Sequence, residues 1–221
     1  TKYMKRRNFM KASVMSSVLI SSIGIRALAG QKTETKKFVI NAGIGGNNTV
    51  DLLNRIDKDC LVHQPDLTII TVGTNDMNSR KFISLDQYQK NVEEIILKLR
   101  NIGSQVVLIT LLPAYEPYLM TRHPEAFYQP EGYVGRLKQM NDLLKKIALD
   151  NDVALVDLHH VFATVGDIGE SVSSLMQNEV NSKVKDGIHP TPEGYRLMAT
   201  TIHEFIVQNG LPKDRVVCFG D

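Results

Sequence analysis

From residue 37 onward, short β-branched apolar runs alternate with longer segments that are apolar at helical spacing. This alternation limits the chain to few architectures. Residues 38–40, 67–72, 106–112, 153–156 and 215–219 read as strands. The run Leu67-Thr68-Ile69-Ile70-Thr71-Val72 has the nearly continuous apolar pattern of a strand buried on both faces. Residues 50–56, 86–100, 132–149 and 191–207 read as helices with one apolar face. Those faces carry Leu52, Leu53 and Ile56, then Val92, Ile95, Ile96 and Leu99, then Leu137, Met140, Leu144 and Ile147, and last Tyr195, Met198, Ile202 and Phe205. Strands that alternate with helices pair in parallel through right-handed crossovers, with helices covering both faces. The expected fold is α/β, a three-layer parallel sheet flanked by helices. Val216, Val217, Cys218 and Phe219 suit an interior strand parallel to 38–40 and 67–72.

Three motifs punctuate this framework. Asp186-Gly187-Ile188-His189-Pro190 sets an Asp and a His three residues apart, before a helix that Thr191 can cap and whose first turn suits Pro192. A carboxylate so placed can bind one imidazole nitrogen, fix the tautomer and leave the other nitrogen free to take a proton. Gly73-Thr74-Asn75-Asp76 follows the strand 67–72, at the carboxyl end where open α/β sheets place their sites. An Asn there can aim its side-chain N–H at a developing oxyanion, or merely close a turn. After the strand 38–40 comes Asn41-Ala42-Gly43-Ile44-Gly45-Gly46-Asn47-Asn48-Thr49, a glycine-rich loop that can present N–H groups to an anion or serve as a flexible turn. Its spacing is not that of a phosphate loop, and no Lys follows.

Together the motifs resemble the SGNH (GDSL-type) hydrolase family, over about residues 37–210. Asn41 to Gly46 is similar to its second block, Gly73 to Asp76 to its third, and Asp186 to His189 to its fifth. The resemblance implies a flavodoxin-like sheet and hydrolysis of carboxylic esters by a serine nucleophile, with no metal or organic cofactor. It implies that Gly46 donates a backbone N–H and Asn75 a side-chain N–H to the oxyanion hole, that His189 is the base and that Asp186 orients it. The implied substrate is a small ester such as an O-acetyl group on a carbohydrate, with a lysophospholipid or simple ester as competitor.

One block is out of place. The first, strand-Gly-Asp-Ser, belongs before residue 37, where nothing similar stands. Arg215-Val216-Val217-Cys218-Phe219-Gly220-Asp221 instead looks like that block up to the residue before its Ser, with Gly220 and Asp221 as its remnant. Three expectations follow. The chain is a rearranged hydrolase whose last strand fills the first-block position, a catalytically inactive binding module for an ester or sugar, or a fragment whose end begins a second domain.

A net charge of +2 gives no argument for nucleic acid or membrane lipid, and two cysteines, Cys60 and Cys218, make neither a disulfide framework nor a zinc site. Cys218 reads as a small core residue. The loop 113–131 carries Tyr115, Tyr118, Arg122, His123, Phe127 and Tyr128, which could stack on a sugar but more commonly pack a long loop onto its own domain. Asp157-Leu158-His159-His160 invites a metal reading, but neighbouring histidines do not share a face, so a loop role is favoured. His63, His123 and His203 have no sequence partner and are expected to have no catalytic role. The oligomeric state, the acyl group and the alcohol stay open.

Residues 1–30 have another character. Met4-Lys5-Arg6-Arg7-Asn8-Phe9-Met10-Lys11 is a basic leader, 12–25 is mostly apolar or Ser, and Ala27-Leu28-Ala29 offers small residues for cleavage. This resembles a bacterial export signal of the twin-arginine type, implying a periplasmic or secreted protein. The apolar stretch is short for a membrane span, and Arg26 at its end also suits an amphipathic or core helix. The hydrolase-like domain is then 31–221. Thermal melts of the full chain and of a shortened chain 30–221 are expected to agree. A large drop in Tm on shortening would make the segment a structural helix.

Overall fold

The computed structural model describes residues 38–212 and the backbone of 218–220. The leader, Arg215–Val217 and Asp221 lie outside the described residues. Among the described residues five strands form one sheet: β1 (Ile40–Asn41), β2 (Leu67–Ile70), β3 (Gln105–Ile109), β4 (Ala154–Val156) and β5 (Cys218–Gly220). Their spatial order is β1-β5-β2-β3-β4, and every neighbouring pair is parallel. Counted from β5, the order reads 2-1-3-4-5, that of flavodoxin-like sheets. The last strand therefore occupies the interior position that its apolar composition suggested.

The described residues also form six α-helices: α1 (Thr49–Asp59), α2 (Leu85–Asn101), α3 (Glu116–Met120), α4 (Gly132–Asp150), α5 (Leu158–Val165) and α6 (Pro192–Gln208). The period-2 alternation of strand side chains sorts them into two layers. Ile70, Val106 and Leu108 face a core built with Ile56 of α1, Val92, Ile95, Ile96 and Leu99 of α2, and Leu137, Leu144 and Ile147 of α4. Leu67, Ile69, Val107 and Ile109 face the other way, onto Leu158 of α5 and Met198, Ile202 and Phe205 of α6. Each of these aliphatic side chains gains roughly 1.5–3 kcal/mol on full burial, so the two layers account for much of the driving force of folding.

Local chemistry explains where the elements differ from the sequence reading. β1 is shifted from 38–40, and Phe38 and Val39 are exposed, because ladder pairing with β5 begins at Ile40. β3 ends at Ile109 rather than Leu112. The Leu111 N–H donates to Asn141 Oδ1 (2.8 Å) and the Leu111 carbonyl accepts from Asn141 Nδ2 (3.1 Å), so a buried side chain replaces the ladder there. The segment Asp157 to His160 is not a loop. Asp157 caps α5 by accepting the His160 N–H at 3.1 Å. Tyr195 is not inward but 46 % exposed on α6. The loop 113–131 contains α3 and a 3-10 turn at Glu125–Tyr128. Its Phe127, Tyr128 and Tyr133 of α4 meet edge to face, with the Arg136 guanidinium over the first two rings, so packing is the role most of these aromatics have.

One buried contact joins the loop after β1 to the loop after β2. Asp76, fully buried, accepts the Thr49 backbone N–H (3.0 and 3.2 Å) and the Thr49 hydroxyl, which itself accepts from Asn91 Nδ2 at 2.8 Å. Asp76→Ala leaves the equally buried Thr49 N–H unpaired. It is expected to cost about 1–3 kcal/mol, read as a lower urea midpoint with unchanged slope.

Candidate active site

The sheet brings the three sequence motifs to one edge. All strands are parallel, so the loops after β1 and β2 leave from the same side, and β5 ends between them with Gly220 in register with Ile70. Gly46, Asn75 and His189 line a single cavity of about 800 Å³. Arg80, Arg122, His123 and Tyr128 line it as well.

Asp186 and His189 form a bonded pair. His189 Nδ1 lies 3.0 Å from Asp186 Oδ1 and 2.9 Å from Oδ2. Asp186 Oδ1 also accepts the backbone N–H groups of Ile188 (2.9 Å) and His189 (2.6 Å). Burial acts to raise the Asp186 carboxyl, but the His189 N–H, the imidazole and the Ile188 N–H outweigh it and hold the group below the ordinary carboxylate range. The Asp186 side chain is 19 % exposed and that of His189 61 %, so the acid sits inside and the imidazole reaches outward.

The turn that carries the pair is splinted by its neighbours. Gly187 adopts φ +73°, and a Cβ there would lie 2.8 Å from the Tyr115 carbonyl oxygen, so glycine is required. The Gly187 N–H donates to the Gln177 carbonyl (2.8 Å), and the Gln177 N–H donates to that of His189 (2.9 Å). Buried Asn178 braces the preceding loop: its Nδ2 reaches the carbonyls of Gly169 (3.1 Å) and Ser171 (2.9 Å), and its Oδ1 accepts from Val180 and Asn181, each at 2.8 Å. Thr191 caps α6 through the Gly194 N–H at 3.2 Å.

Asn75 and Gly46 meet across the two loops. Asn75 Nδ2 donates to the Asn47 carbonyl (3.0 Å), next to Gly46, and Asn75 Oδ1 accepts from Asn78 Nδ2 (3.0 Å). That leaves one Asn75 N–H for another acceptor. Gly46 has φ +82°, a left-handed conformation in which its N–H finds no acceptor among the described residues. Asp76 beneath is pushed up by burial, against the hydrogen bonds from Thr49. Gly220 is placed by its backbone alone, and Asp221 lies outside the described residues.

Sequence reasoning missed three features. His123 was set aside, yet it is buried in the cavity wall with Nδ1 2.8 Å from Ser79 Oγ, and burial, Arg80 and Arg122 hold its imidazole below the ordinary range. Arg122, read as one residue of a loop, reaches Asp186. Asn178 carried no signal at all. His123 and Arg122 act across long sequence separations that no local pattern marks, and Asn178 braces an irregular loop that has no periodic pattern. Cys60 is buried beside the Thr68 hydroxyl.

Residues 24–197 match the family of GDSL-like lipases and acylhydrolases. The chain belongs to that family. The lipoprotein YqeF of Bacillus subtilis is 27 % identical over 177 residues, covering 75 % of this chain and 72 % of its own. An acetylxylan esterase of Geobacillus stearothermophilus is 23 % identical over 169 residues, covering 73 % and 68 %. The crystal structure of a GDSL-like lipase from Bacteroides thetaiotaomicron shares the fold, with a TM-score of 0.57 at 23 % identity, over 76 % of this chain and 74 % of that one.

A lowered carboxyl stabilises the native state above the ordinary Asp pKa of about 3.9, and that stabilisation is lost as pH falls through the lower native value. The Tm difference between the wild type and Asp186→Asn is therefore expected to be largest near neutrality. It should shrink below about pH 4 in melts across pH.

Proposed function

We propose that this GDSL-family protein is a serine-type hydrolase of small carboxylic esters. One observation carries the reading: Gly46, Asn75 and His189 line one cavity, and Asp186 holds the His189 Nδ1. In this mechanism a Ser hydroxyl at the carboxyl end of β5, directly after the remnant Gly220-Asp221, attacks the acyl carbonyl. His189 Nε2 takes the hydroxyl proton, and Asp186 stabilises the imidazolium without accepting that proton. The oxyanion rests on the Gly46 N–H, the unused Asn75 N–H and the backbone N–H of the Ser. The alcohol leaves with the proton from His189, and water then hydrolyses the acyl-enzyme by the same steps in reverse.

The placement of β5 supports this location for the nucleophile. β5 lies between β1 and β2, the strands whose following loops carry Gly46 and Asn75, so a residue shortly after Gly220 would stand near both donors. An O-acetylated carbohydrate is the preferred substrate, a reading supported by the relatives that are acetylxylan esterases. We also infer an exported protein with 1–30 as its signal and 31–221 as its hydrolase domain. The lipoprotein among the relatives agrees with export, and no helix among the described residues is long and apolar enough to cross a membrane.

Adding Ser and a short helical tail after Asp221 is expected to raise hydrolysis of an activated acetyl ester well above that of the 221-residue chain. In that version Asn75→Ala should lower turnover about 100-fold or more, the usual cost of one oxyanion donor. If the 221-residue chain itself forms an acyl-enzyme, another residue is the nucleophile and this account fails. Bound sugar ester with no turnover in either version would make the protein a binding module.

A further inference from the structure

We propose that Arg122 is a positioning residue that holds Asp186 in the orientation from which it fixes the His189 imidazole; this rests on reading Asp186 and His189 as the acid–base pair. Arg122 follows α3 in a turn anchored on buried Leu119, whose carbonyl accepts the backbone N–H groups of Arg122 (3.0 Å) and His123 (3.1 Å). From that anchor the guanidinium reaches the Asp186 turn across 64 residues of sequence. Its Nη2 donates to the Asp186 backbone carbonyl, and its Nη1 lies 3.7 Å from Asp186 Oδ2. The same loop grips the next residue, since the Tyr115 N–H donates to the Gly187 carbonyl at 2.8 Å.

The carboxylate contacts show why such a brace matters. Oδ1 is committed to two backbone N–H groups within its own turn, those of Ile188 and His189. Oδ2 is the oxygen nearer His189 Nδ1, at 2.9 Å, and it has no backbone donor among the described residues. Arg122 is the cation beside it. The flat guanidinium spans the main-chain carbonyl and Oδ2 of one residue, a bridge that a single ammonium does not reproduce. It therefore opposes rotation of the carboxylate and drift of the turn together. Imidazole orientation depends on that carboxylate, because a neutral His carries its proton on whichever nitrogen has the better acceptor. Arg122 also lines the cavity that His189 lines.

The test reads the His189 tautomer, which needs no nucleophile and no turnover. Long-range 1H–15N correlation spectra of the full chain at alkaline pH should show His189 with its proton on Nδ1. In Arg122→Met the two ring 15N shifts should move towards those of the Nε2–H form, since rapidly exchanging tautomers average, while the melt stays cooperative. Arg122→Lys should recover the wild-type signals only in part. An unchanged single tautomer in Arg122→Met overturns the proposal. Should that variant fail to fold, Arg122→Lys decides, and an unchanged spectrum there overturns it equally. Asp186→Asn separates the two readings. If it scrambles the tautomer and neither Arg122 variant does, only the role of Arg122 falls. If it leaves the tautomer unchanged, or if the wild type is already mixed, the acid–base pair itself fails and the proposal fails with it.

Discussion

Among the described residues, β1 joins the sheet through β5 alone. Ile40 and Asn41 pair with Cys218 and Phe219, and β5 pairs on its other side with Thr68, Ile69 and Ile70 of β2. Remove β5 and the strand that precedes the Gly46 loop is no longer paired, through the ladder, to the strand that precedes the Asn75 loop. What remains includes the Asp76–Thr49 tether, the Asn75–Asn47 hydrogen bond and the bond from Asn48 Nδ2 to the Lys81 carbonyl. A strand more than 140 residues away in sequence thus sets the spacing of two loops that lie only about 30 residues apart. Its loop-closure cost rises only as the logarithm of length, so parallel pairing on both edges can outweigh it.

Two aspartates of the site show how environment divides one chemistry into two uses. Asp76 is fully buried, its carboxyl pushed up by desolvation, and all its described contacts hold loops together. Asp186 is partly open, its carboxyl held down by N–H groups of its own turn and by the imidazole. The buried one suits a fixed joint. The other suits a charge that must remain available to an imidazolium as it forms. The residues that support the Asp186 turn come from two separate stretches of chain, Tyr115 and Arg122 from the loop 113–131 and Gln177 from the segment before the turn.

The fold and the core of the candidate site were legible because both are written locally. The helical spacing of Val92, Ile95, Ile96 and Leu99 and the β-branched run after Asp66 follow from the identities of neighbouring residues, and all four helix residues prove buried. The motif of Asp186 and His189 is equally local, since a carboxylate three residues before an imidazole can reach it within one turn. Element ends were less legible. β3 stops early because Asn141, about 30 positions onward, takes over the Leu111 backbone, and Asp157 starts a helix where a loop was expected.

What sequence alone determined is the α/β class, the parallel order of the layers and the membership of Gly46, Asn75, Asp186 and His189 in recognisable motifs, because periodicity and short-range spacing are properties of adjacent residues. Only the tertiary structure decided where each strand starts and stops, that His123 stands in the cavity wall beside Ser79, and that Arg122 reaches Asp186. These rest on contacts between residues far apart in the chain. Such a contact leaves no periodic trace in sequence, since each partner is chosen by where packing carries it and not by what stands next to it.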